Sequence, residues 1–260
     1  MWQPKQYTGS YSGTNSFYLK FSDIATTSGS NAGLGKDFSG NGNYWNTTNI
    51  SVTAGTTYDA MTDSPTPASS TVGNFCTLNP LDQGGSSSSS GGNLQFNSTA
   101  SDIFASMRAT VGVTTGSWYF EATPTTFGVG APDKIVRIGV TNTFYNIDAN
   151  GGDVSPSGGS AIWDSRDNGA TSYLYLNGVS SNSYAYSFTV NDVVMVAFNA
   201  DTKKIWFGKN GTWNTGDPAA GTGEAATLTS GYEYTPVADG SNSTVTQFNF
   251  GQRPFSYTPP

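Results

Sequence analysis

Two stretches decide the fold: Lys204-Ile205-Trp206-Phe207-Gly208-Lys209-Asn210-Gly211-Thr212-Trp213 and, near the end of the chain, Asn249-Phe250-Gly251-Gln252-Arg253-Pro254-Phe255. The first is an aromatic-rich strand that stops at Asn-Gly, the residue pair that favours a tight hairpin turn. A turn signal at 201–203 separates it from the apolar run 193–198, which has the composition of a strand buried on both faces. We predict a meander of three antiparallel strands with its aromatic residues in a core; the alternative exposes Trp206 as a binding platform.

Further strand signals extend outward from this meander. Short runs rich in β-branched and aromatic residues, separated by polar turns, recur at 93–96, 116–121, 135–140, 172–176 and 244–250. Two earlier runs, 16–21 and 49–53, alternate with period two. Apolar residues at helical spacing are missing, so the sequence predicts an all-β chain: an antiparallel β-sandwich with an additional β-rich module before it.

A low-complexity segment divides the chain. Residues 83–92 read Gln-Gly-Gly-Ser-Ser-Ser-Ser-Ser-Gly-Gly, the composition of a flexible connector. We therefore predict an N-terminal module over 1–82, a linker or surface loop over 83–92, and the sandwich over 93–260.

Composition excludes several functional classes. The 260 residues carry a net charge of -7, and the 11 basic residues are scattered, so no surface can neutralise a run of phosphates. Histidine is absent, which removes the usual general base of serine and cysteine hydrolases. The single cysteine, Cys76, rules out an internal disulfide. Nucleic acid is not a predicted partner, and no apolar stretch of about 20 residues predicts membrane insertion.

Five motifs in order resemble the SPRY (B30.2) family between about 94 and 257. They are Gly116-Ser117-Trp118-Tyr119-Phe120-Glu121, Val136-Arg137-Ile138-Gly139-Val140, Asn191-Asp192-Val193, Lys204-Ile205-Trp206-Phe207 and Asn249-Phe250-Gly251-Gln252. The resemblance implies a bent antiparallel sandwich of the concanavalin A-like type. It also implies loops at one edge that bind partners, and no catalytic residues.

The first part of the chain resembles a module of tailed-bacteriophage structural proteins. The resemblance is carried by 33–43, 49–55, 63–66 and 74–81. It implies a virion component, and the start and end of the sequence resemble internal points of such proteins. We accordingly expect a part of a longer virion protein.

Segment 161–169 combines residue types that suit the recognition of sugars or of a polar protein surface. An aromatic ring, a bidentate donor and short carboxylates lie close together at a predicted strand end. The predicted ligand-binding residues are Trp163, Asp164, Arg166, Asp167 and Asn168, with Tyr145, Asn146 and Asp148 as neighbours. The alternative is structural: Trp163 lies in the core, Arg166 pairs with Asp164 or Asp167, and the loop is a turn.

Calcium is the one cofactor that the sequence suggests. The oxygen-bearing residues alternate as in a calcium loop, with a glycine at the sixth position; they are Asp37, Ser39, Asn41 and Asn43. Position twelve is Thr48, which supplies no bidentate carboxylate. A turn in which Asp and Asn side chains accept hydrogen bonds from their own backbone explains the same residues.

A glycan-degrading enzyme is an alternative from another class. It would need two carboxylates about 5 to 9 Å apart across a cleft, and the sequence offers Glu121 with Asp164 or Asp167. Nothing in the spacing demands that pair, so we predict no catalytic activity.

The main prediction is a non-catalytic virion protein: a tail-fibre, head-fibre or decoration module that attaches to a host-surface glycan or protein through loops. Such a protein is made in the host cytoplasm and lies at the virion surface, and a fibre is expected to be a homotrimer. The competing prediction is a purely structural subunit that binds neighbouring capsid or tail subunits.

Overall fold

The structure is a computed structural model that describes residues 9–51, 75–98, 104–128, 134–148, 153–154, 159–181 and 183–260. The chain forms two compact units. Unit 1 comprises Met1–Phe75 and Gln252–Pro254, and unit 2 comprises Cys76–Gly251 and Phe255–Pro260.

Unit 2 contains all the strands of the described residues. They are β1 Leu78–Gly84, β2 Ser87–Ser90, β3 Gln95–Ser98, β4 Ala105–Ala109, β5 Ser117–Phe127, β6 Ile135–Asn142, β7 Ser160–Arg166, β8 Thr171–Leu176, β9 Val179–Ser180, β10 Val194–Asn199, β11 Lys204–Lys209, β12 Thr212–Trp213, β13 Ala226–Thr227, β14 Tyr234–Gly240 and β15 Thr244–Asn249. The described residues contain no α-helix. They therefore contain no helix that is long and apolar enough to cross a membrane.

The strands form two antiparallel sheets. The first sheet has the order β1-β4-β14-β6-β7-β8-β9. The second has the order β12-β11-β10-β5-β15-β3-β2, and β13 also pairs with β11. Apolar side chains from both sheets form one shared core, which includes Val196 and Phe207 from the second sheet and Ile138 and Trp163 from the first. The predicted antiparallel β-sandwich is therefore confirmed.

The predicted meander corresponds to β10, β11 and β12. Strand β10 is buried over five of its six positions, because alternate side chains face the core and the opposite face is also covered. Asn210 and Gly211 both adopt left-handed φ angles, 51° and 84°, as a tight turn of this type requires. Trp206 is almost fully buried, so it is not the exposed platform of the alternative interpretation.

The serine-rich segment is a strand rather than a linker or loop. Ser87–Ser90 forms β2, which pairs with β3 from Ser87↔Ser98 to Ser90↔Gln95 at the edge of the second sheet. Its side chains contribute to this pairing, since Ser89 donates a hydrogen bond to Asn93 Oδ1 at 2.8 Å and Gln95 Nε2 donates to Ser90 Oγ at 3.0 Å. Unit 2 also begins at Cys76, before the predicted boundary at 82.

Unit 1 is poor in regular structure over its described residues. The run 16–21, predicted as a strand, contributes only an isolated bridge between Leu19 and Asp37. One 3-10 turn lies at Gly33–Gly35. Residues 52 and 53 of the run 49–53, and the whole motif 63–66, fall outside the described residues, and residues 49–51 belong to no strand. Side chain to backbone hydrogen bonds, described below, take the place of the predicted β ladder.

Candidate functional site

The outer face of the first sheet carries an unusual amount of buried charge. Along β6, Val136 and Ile138 point into the shared core, so Arg137 between them points outward. By the same alternation Asp164 of β7 and Asp239 of β14 also lie on this outer face. A small second apolar cluster, Ile147, Val154, Ile162 and Val237, lies there as well and includes two residues of the β6–β7 connection.

Arg137 is the centre of this charge network. Its Nε donates to Asp164 Oδ2 at 2.7 Å, and its Nη1 donates to Asp153 Oδ1 at 2.6 Å and to Asp239 Oδ2 at 3.4 Å. The side chains of Arg137 and Asp164 are 2% and 0% exposed. Asp239 Oδ2 also accepts a hydrogen bond from the Val154 backbone at 3.0 Å. The network thus joins three strands of the first sheet to the β6–β7 connection.

Burial and neighbouring charges shift the pKa values of two groups in the network, Asp239 and Arg137. Burial raises the pKa of Asp239 to about 7, and Asp153 adds to this shift while Arg137 opposes it. For Arg137, burial alone would lower the pKa, but Asp239, Asp164 and Asp153 raise it above its usual value. Arg137 therefore stays protonated, and Asp239 changes its charge near neutral pH.

Three half-buried side chains lie above the network and form what we call the Arg166 patch: Arg166, Tyr173 and Tyr175. Arg166 Nε donates to Asp164 Oδ1 at 2.9 Å, and Arg166 Nη2 donates to the Tyr175 hydroxyl at 3.0 Å. The guanidinium carbon of Arg166 lies 4.6 Å from the Tyr173 ring centroid, and that of Arg137 lies 5.0 Å from the Tyr175 centroid. Arg166 therefore stacks on the Tyr173 ring and Arg137 stacks on the Tyr175 ring, so each arginine fixes the position of one tyrosine ring.

The residues predicted in 161–169 divide between core, network and turn. Trp163 is fully buried and donates from Nε1 to Ser172 Oγ at 3.0 Å, so it belongs to the core and not to a binding face. Asp164 and Arg166 pair with each other, as the structural alternative predicted. Asp167 accepts a hydrogen bond from the Lys134 backbone, and Asn168 accepts one from the Val190 backbone at 2.8 Å. Of the five, Arg166 contributes a partly exposed side chain to the patch.

The three predicted neighbours lie on the connection that follows β6. Tyr145 reaches the network, since its hydroxyl donates to the Asp153 carbonyl at 3.4 Å. Asn146 Oδ1 accepts a hydrogen bond from the Asp148 backbone N–H at 3.1 Å, and Asp148 Oδ1 accepts one from the Gly85 backbone N–H at 3.2 Å. Both carbonyl groups that Arg108 Nη1 binds, those of Asn142 and Tyr145, belong to the same segment. The structure therefore connects Tyr145 to the Arg137 network, places Asn146 in a local turn, and places Asp148 against the turn between β1 and β2.

The residues of the calcium prediction form a closed hydrogen-bonded turn. The Asp37 carboxylate accepts from the backbone N–H groups of Tyr18, Ser39 and Asn43 at 2.8 to 2.9 Å. Although burial would raise the pKa of Asp37, these bonds and the Ser39 hydroxyl hold it below its usual value. The amides of Asn41 and Asn43 both donate to the Ser16 carbonyl. This geometry matches the turn alternative, and in the described residues no three acidic, cysteine or histidine side chains are placed to hold a metal ion.

Glu121 has a structural partner that the sequence did not suggest. It lies on β5 between Phe120 and Ala122, which face the core, so it points to the outer face of the second sheet. Its two oxygens accept hydrogen bonds from the backbone N–H groups of Ser256 and Tyr257, each at 2.9 Å. Asp164 lies on the outer face of the other sheet, so Glu121 and Asp164 do not face each other across one cleft.

Comparisons with known proteins find similarity in fold. No family model matches the chain, and no curated protein matches its sequence. Among solved structures, the SPRY domain of human HERC1 is 18% identical over 68% of this chain and 99% of its own length, with a TM-score of 0.48. The TRIM65 PSpry domain is 11% identical over 68% of this chain and 90% of its own, with a TM-score of 0.49. Stonustoxin is 15% identical over 67% of this chain and 27% of its own, with a TM-score of 0.48.

Proposed function

We propose that this chain is a non-catalytic recognition protein of a bacteriophage virion surface. In this proposal the sandwich binds a host-surface glycan or protein through the Arg166 patch and the connection that carries Tyr145. The sequence resemblance of 33–43 and 74–81 to phage structural modules supports the virion setting. The side-chain geometry of unit 2 supports the recognition role.

The observation that carries the proposal is the buried Arg137 network beneath the Arg166 patch. Taking one arginine and two aspartates out of water costs more free energy than an apolar cluster of the same volume would. A sheet that needed only stability would place apolar residues there, as the same sheet does on its inner face. The network is therefore best explained by what it holds in place: a rigid pair of tyrosines and an arginine, the residue types that dominate recognition surfaces.

The direct test is binding to bacterial surface polysaccharides and outer-membrane proteins, displayed as an array and probed with the full chain. We expect saturable binding to at least one spot, and a loss of about tenfold or more in affinity for Tyr173→Ala, because an aromatic anchor at an interface commonly contributes this much. Leu81→Ala is the matched control, since Leu81 is 94% exposed and lies on β1, at the far edge of the same sheet.

Two results would contradict the proposal. One is the absence of binding across the array at high micromolar protein concentration. The other is equal affinity for Tyr173→Ala and Leu81→Ala on every spot that binds. Thermal unfolding of both variants checks that the first has not simply lost its fold.

A purely structural virion role is the second candidate, and a feature of unit 1 favours it. Eight of the thirteen large apolar side chains that are exposed in the described residues belong to unit 1. Phe17 and Trp45 are in contact, with ring centroids 5.1 Å apart, and Tyr11 stacks on Tyr18 at 5.5 Å. A concentration of exposed rings is typical of a surface that another protein covers.

Solution mass separates the two candidates. A structural or fibre role predicts an oligomer, with a homotrimer as the expected state, and predicts that Trp45→Ala weakens it. Light scattering of the full chain over a range of concentrations measures this. A strictly monomeric chain would contradict the fibre version and leave a monomeric recognition module.

A further inference from the structure

A cleft of about 290 Å³ opens on the outer face of the second sheet, opposite the Arg166 patch. Ala197 of β10 lies at its floor, with Tyr119 of β5 and Trp206 of β11 as its register partners. The small Ala197 side chain between two aromatic residues creates the depression. The remaining lining comes from Phe198, the Pro218–Ala219 turn, the Pro259–Pro260 segment and the rim residues Ser117, Trp118 and Asn199.

The aromatic side chains of the cleft have their polar atoms bound within the protein. Trp206 Nε1 donates to the Thr222 carbonyl at 2.9 Å, and Trp118 Nε1 donates to the Thr115 carbonyl at 2.7 Å. The Tyr119 hydroxyl donates to Glu121 Oε1 at 3.0 Å. Each ring is therefore held in one orientation. Trp206 is almost fully buried, so the apolar ring surface that a ligand could contact is that of Trp118 and Tyr119.

Glu121 also positions one wall of the cleft. The same carboxylate that holds Tyr119 accepts the backbone N–H groups of Ser256 and Tyr257. These bonds anchor the segment that continues to Pro259 and Pro260. One buried acid thus orients both an aromatic residue and the opposite proline wall.

The free polar groups at the rim are uncharged. Asn199 Nδ2 donates to Ser117 Oγ at 3.3 Å. This leaves the Ser117 hydroxyl hydrogen and the second amide hydrogen of Asn199 as donors at the mouth of the cleft. No side chain that lines the cleft carries a charge. The nearest cation in register, Lys204, is paired with Glu224 at 3.1 Å.

We infer that this cleft binds a neutral sugar ring. A pyranose presents an apolar face of C–H groups and a rim of hydroxyls, which matches apolar ring surface beside hydroxyl and amide donors. The cleft volume is at the lower end of small-molecule sites, so it suits a single ring rather than a larger ligand. Sialic or uronic acids would place a carboxylate where no free cation lies. The inference rests on the proposed glycan recognition and adds a second subsite of defined chemistry.

The test titrates the full chain with glucose, galactose, mannose and N-acetylglucosamine and their short oligomers, followed by calorimetry and tryptophan fluorescence. We expect a dissociation constant of about 1 mM for at least one neutral sugar, the range of a single small contact surface. Ala197→Leu fills the floor without removing any hydrogen bond and is expected to weaken binding about tenfold or more. Trp118→Phe keeps an aromatic rim and is expected to retain most of it.

Tyr173→Ala on the opposite face is the control, and it keeps the two sites distinguishable. Binding lost in Ala197→Leu and kept in Tyr173→Ala supports the cleft. Binding kept in Ala197→Leu and lost in Tyr173→Ala overturns the cleft while supporting the proposed function. No saturable binding to any neutral sugar, tighter binding of sialic or glucuronic acid, or a saturating proline-rich peptide at this cleft would each overturn the inference as well.

Discussion

A single arginine in an apolar strand explains much of the outer face of the first sheet. Arg137 interrupts the run Ile135-Val136-Arg137-Ile138, and a charged residue buried in a strand of this kind requires buried partners. The sequence predicted the strand, but it gave Asp164 only as a ligand-binding residue or as a partner of Arg166. It could not predict Asp153 or Asp239, because they lie 16 and 102 positions away from Arg137 and only the sheet order brings them together.

Asp239→Asn is predicted to change how stability depends on pH. The folded pKa of Asp239 is about 7, above the usual aspartate value of 3.8, so the folded state holds this proton through a pH window in which the unfolded state has lost it. The free energy of unfolding should therefore fall as pH rises between about 4 and 7, by at most about 1.4 kcal/mol per pH unit. The asparagine variant should be nearly flat there.

Urea unfolding at several pH values measures this dependence. The chain has no histidine, so no histidine titration contributes to the pH dependence in this range. Asp192 is the matched control. Its pKa is lowered, because hydrogen bonds from Thr189 and Asn210 outweigh burial. Asp192→Asn should therefore lower the free energy of unfolding by a constant amount above about pH 4, and should change its pH dependence only below that value. A wild-type stability that rises between pH 5 and pH 7 would contradict the charge state assigned to the Arg137 network.

Glu121→Gln is predicted to destabilise unit 2 by about 1 to 3 kcal/mol, the usual cost of leaving buried donors badly paired. The glutamine amide can accept only part of what the carboxylate accepts from Tyr119, Ser256 and Tyr257. Hydrogen exchange of the Ser256 and Tyr257 amides should accelerate. Glu224→Gln, which breaks a surface pair with Lys204, should cost less than about 1 kcal/mol.

The same variant bears on the question of catalysis. Hydrolysis of a bacterial polysaccharide by the wild type that disappears in Glu121→Gln without loss of fold would contradict the non-catalytic proposal. Unchanged amide exchange at both positions would instead contradict the structural role of Glu121.

Elements with strong side-chain patterns were predicted well, and elements without them were missed. The meander 193–213 was predicted because its β-branched and aromatic residues and its Asn-Gly turn agree with one another. Strand β2 was missed because five consecutive serines have no periodicity, and their pairing depends on hydrogen bonds with Asn93 and Gln95 that composition does not reveal. In unit 1 the alternating run 16–21 was wrongly predicted to be a strand. The Asp37 carboxylate accepts a hydrogen bond from the Tyr18 backbone N–H, a group that a β ladder would have used.

The turn between β11 and β12 offers an element-scale test. Gly211 has φ 84°, and a Cβ placed there would lie 2.8 Å from the Tyr257 ring. Gly211→Ala should therefore combine left-handed strain of about 1 to 2 kcal/mol with displacement of the segment that crosses the second sheet. Gly221→Ala is the control, since its φ of 69° is similar and nothing lies within 4 Å of the added Cβ.

Denaturant unfolding of the two variants isolates the Tyr257 contact as the difference between them. Equal destabilisation would mean that Tyr257 does not pack on the turn. A larger loss in Gly211→Ala, accompanied by faster amide exchange at Tyr257, is the expected outcome.

At the scale of the whole molecule, the chain divides into a strand-rich unit and a unit whose described residues contain no strand. All fifteen strands of the described residues, and the shared core, belong to unit 2. We predict that residues 76–260 fold without the first 75, with β-type circular dichroism and one cooperative thermal transition. A fragment that lacks near-ultraviolet signal or unfolds without cooperativity would show that unit 2 depends on residues 1–75.

The proposed recognition surface is the Arg166 patch on the outer face of the first sheet. The most direct measurement is hydrogen exchange of the full chain with and without the surface polysaccharide or protein that it binds on the array. Slowed exchange in β8, where Tyr173 and Tyr175 lie, and in the segment around Tyr145 is the predicted result. Protection confined to unit 1, with β8 unchanged, would contradict it.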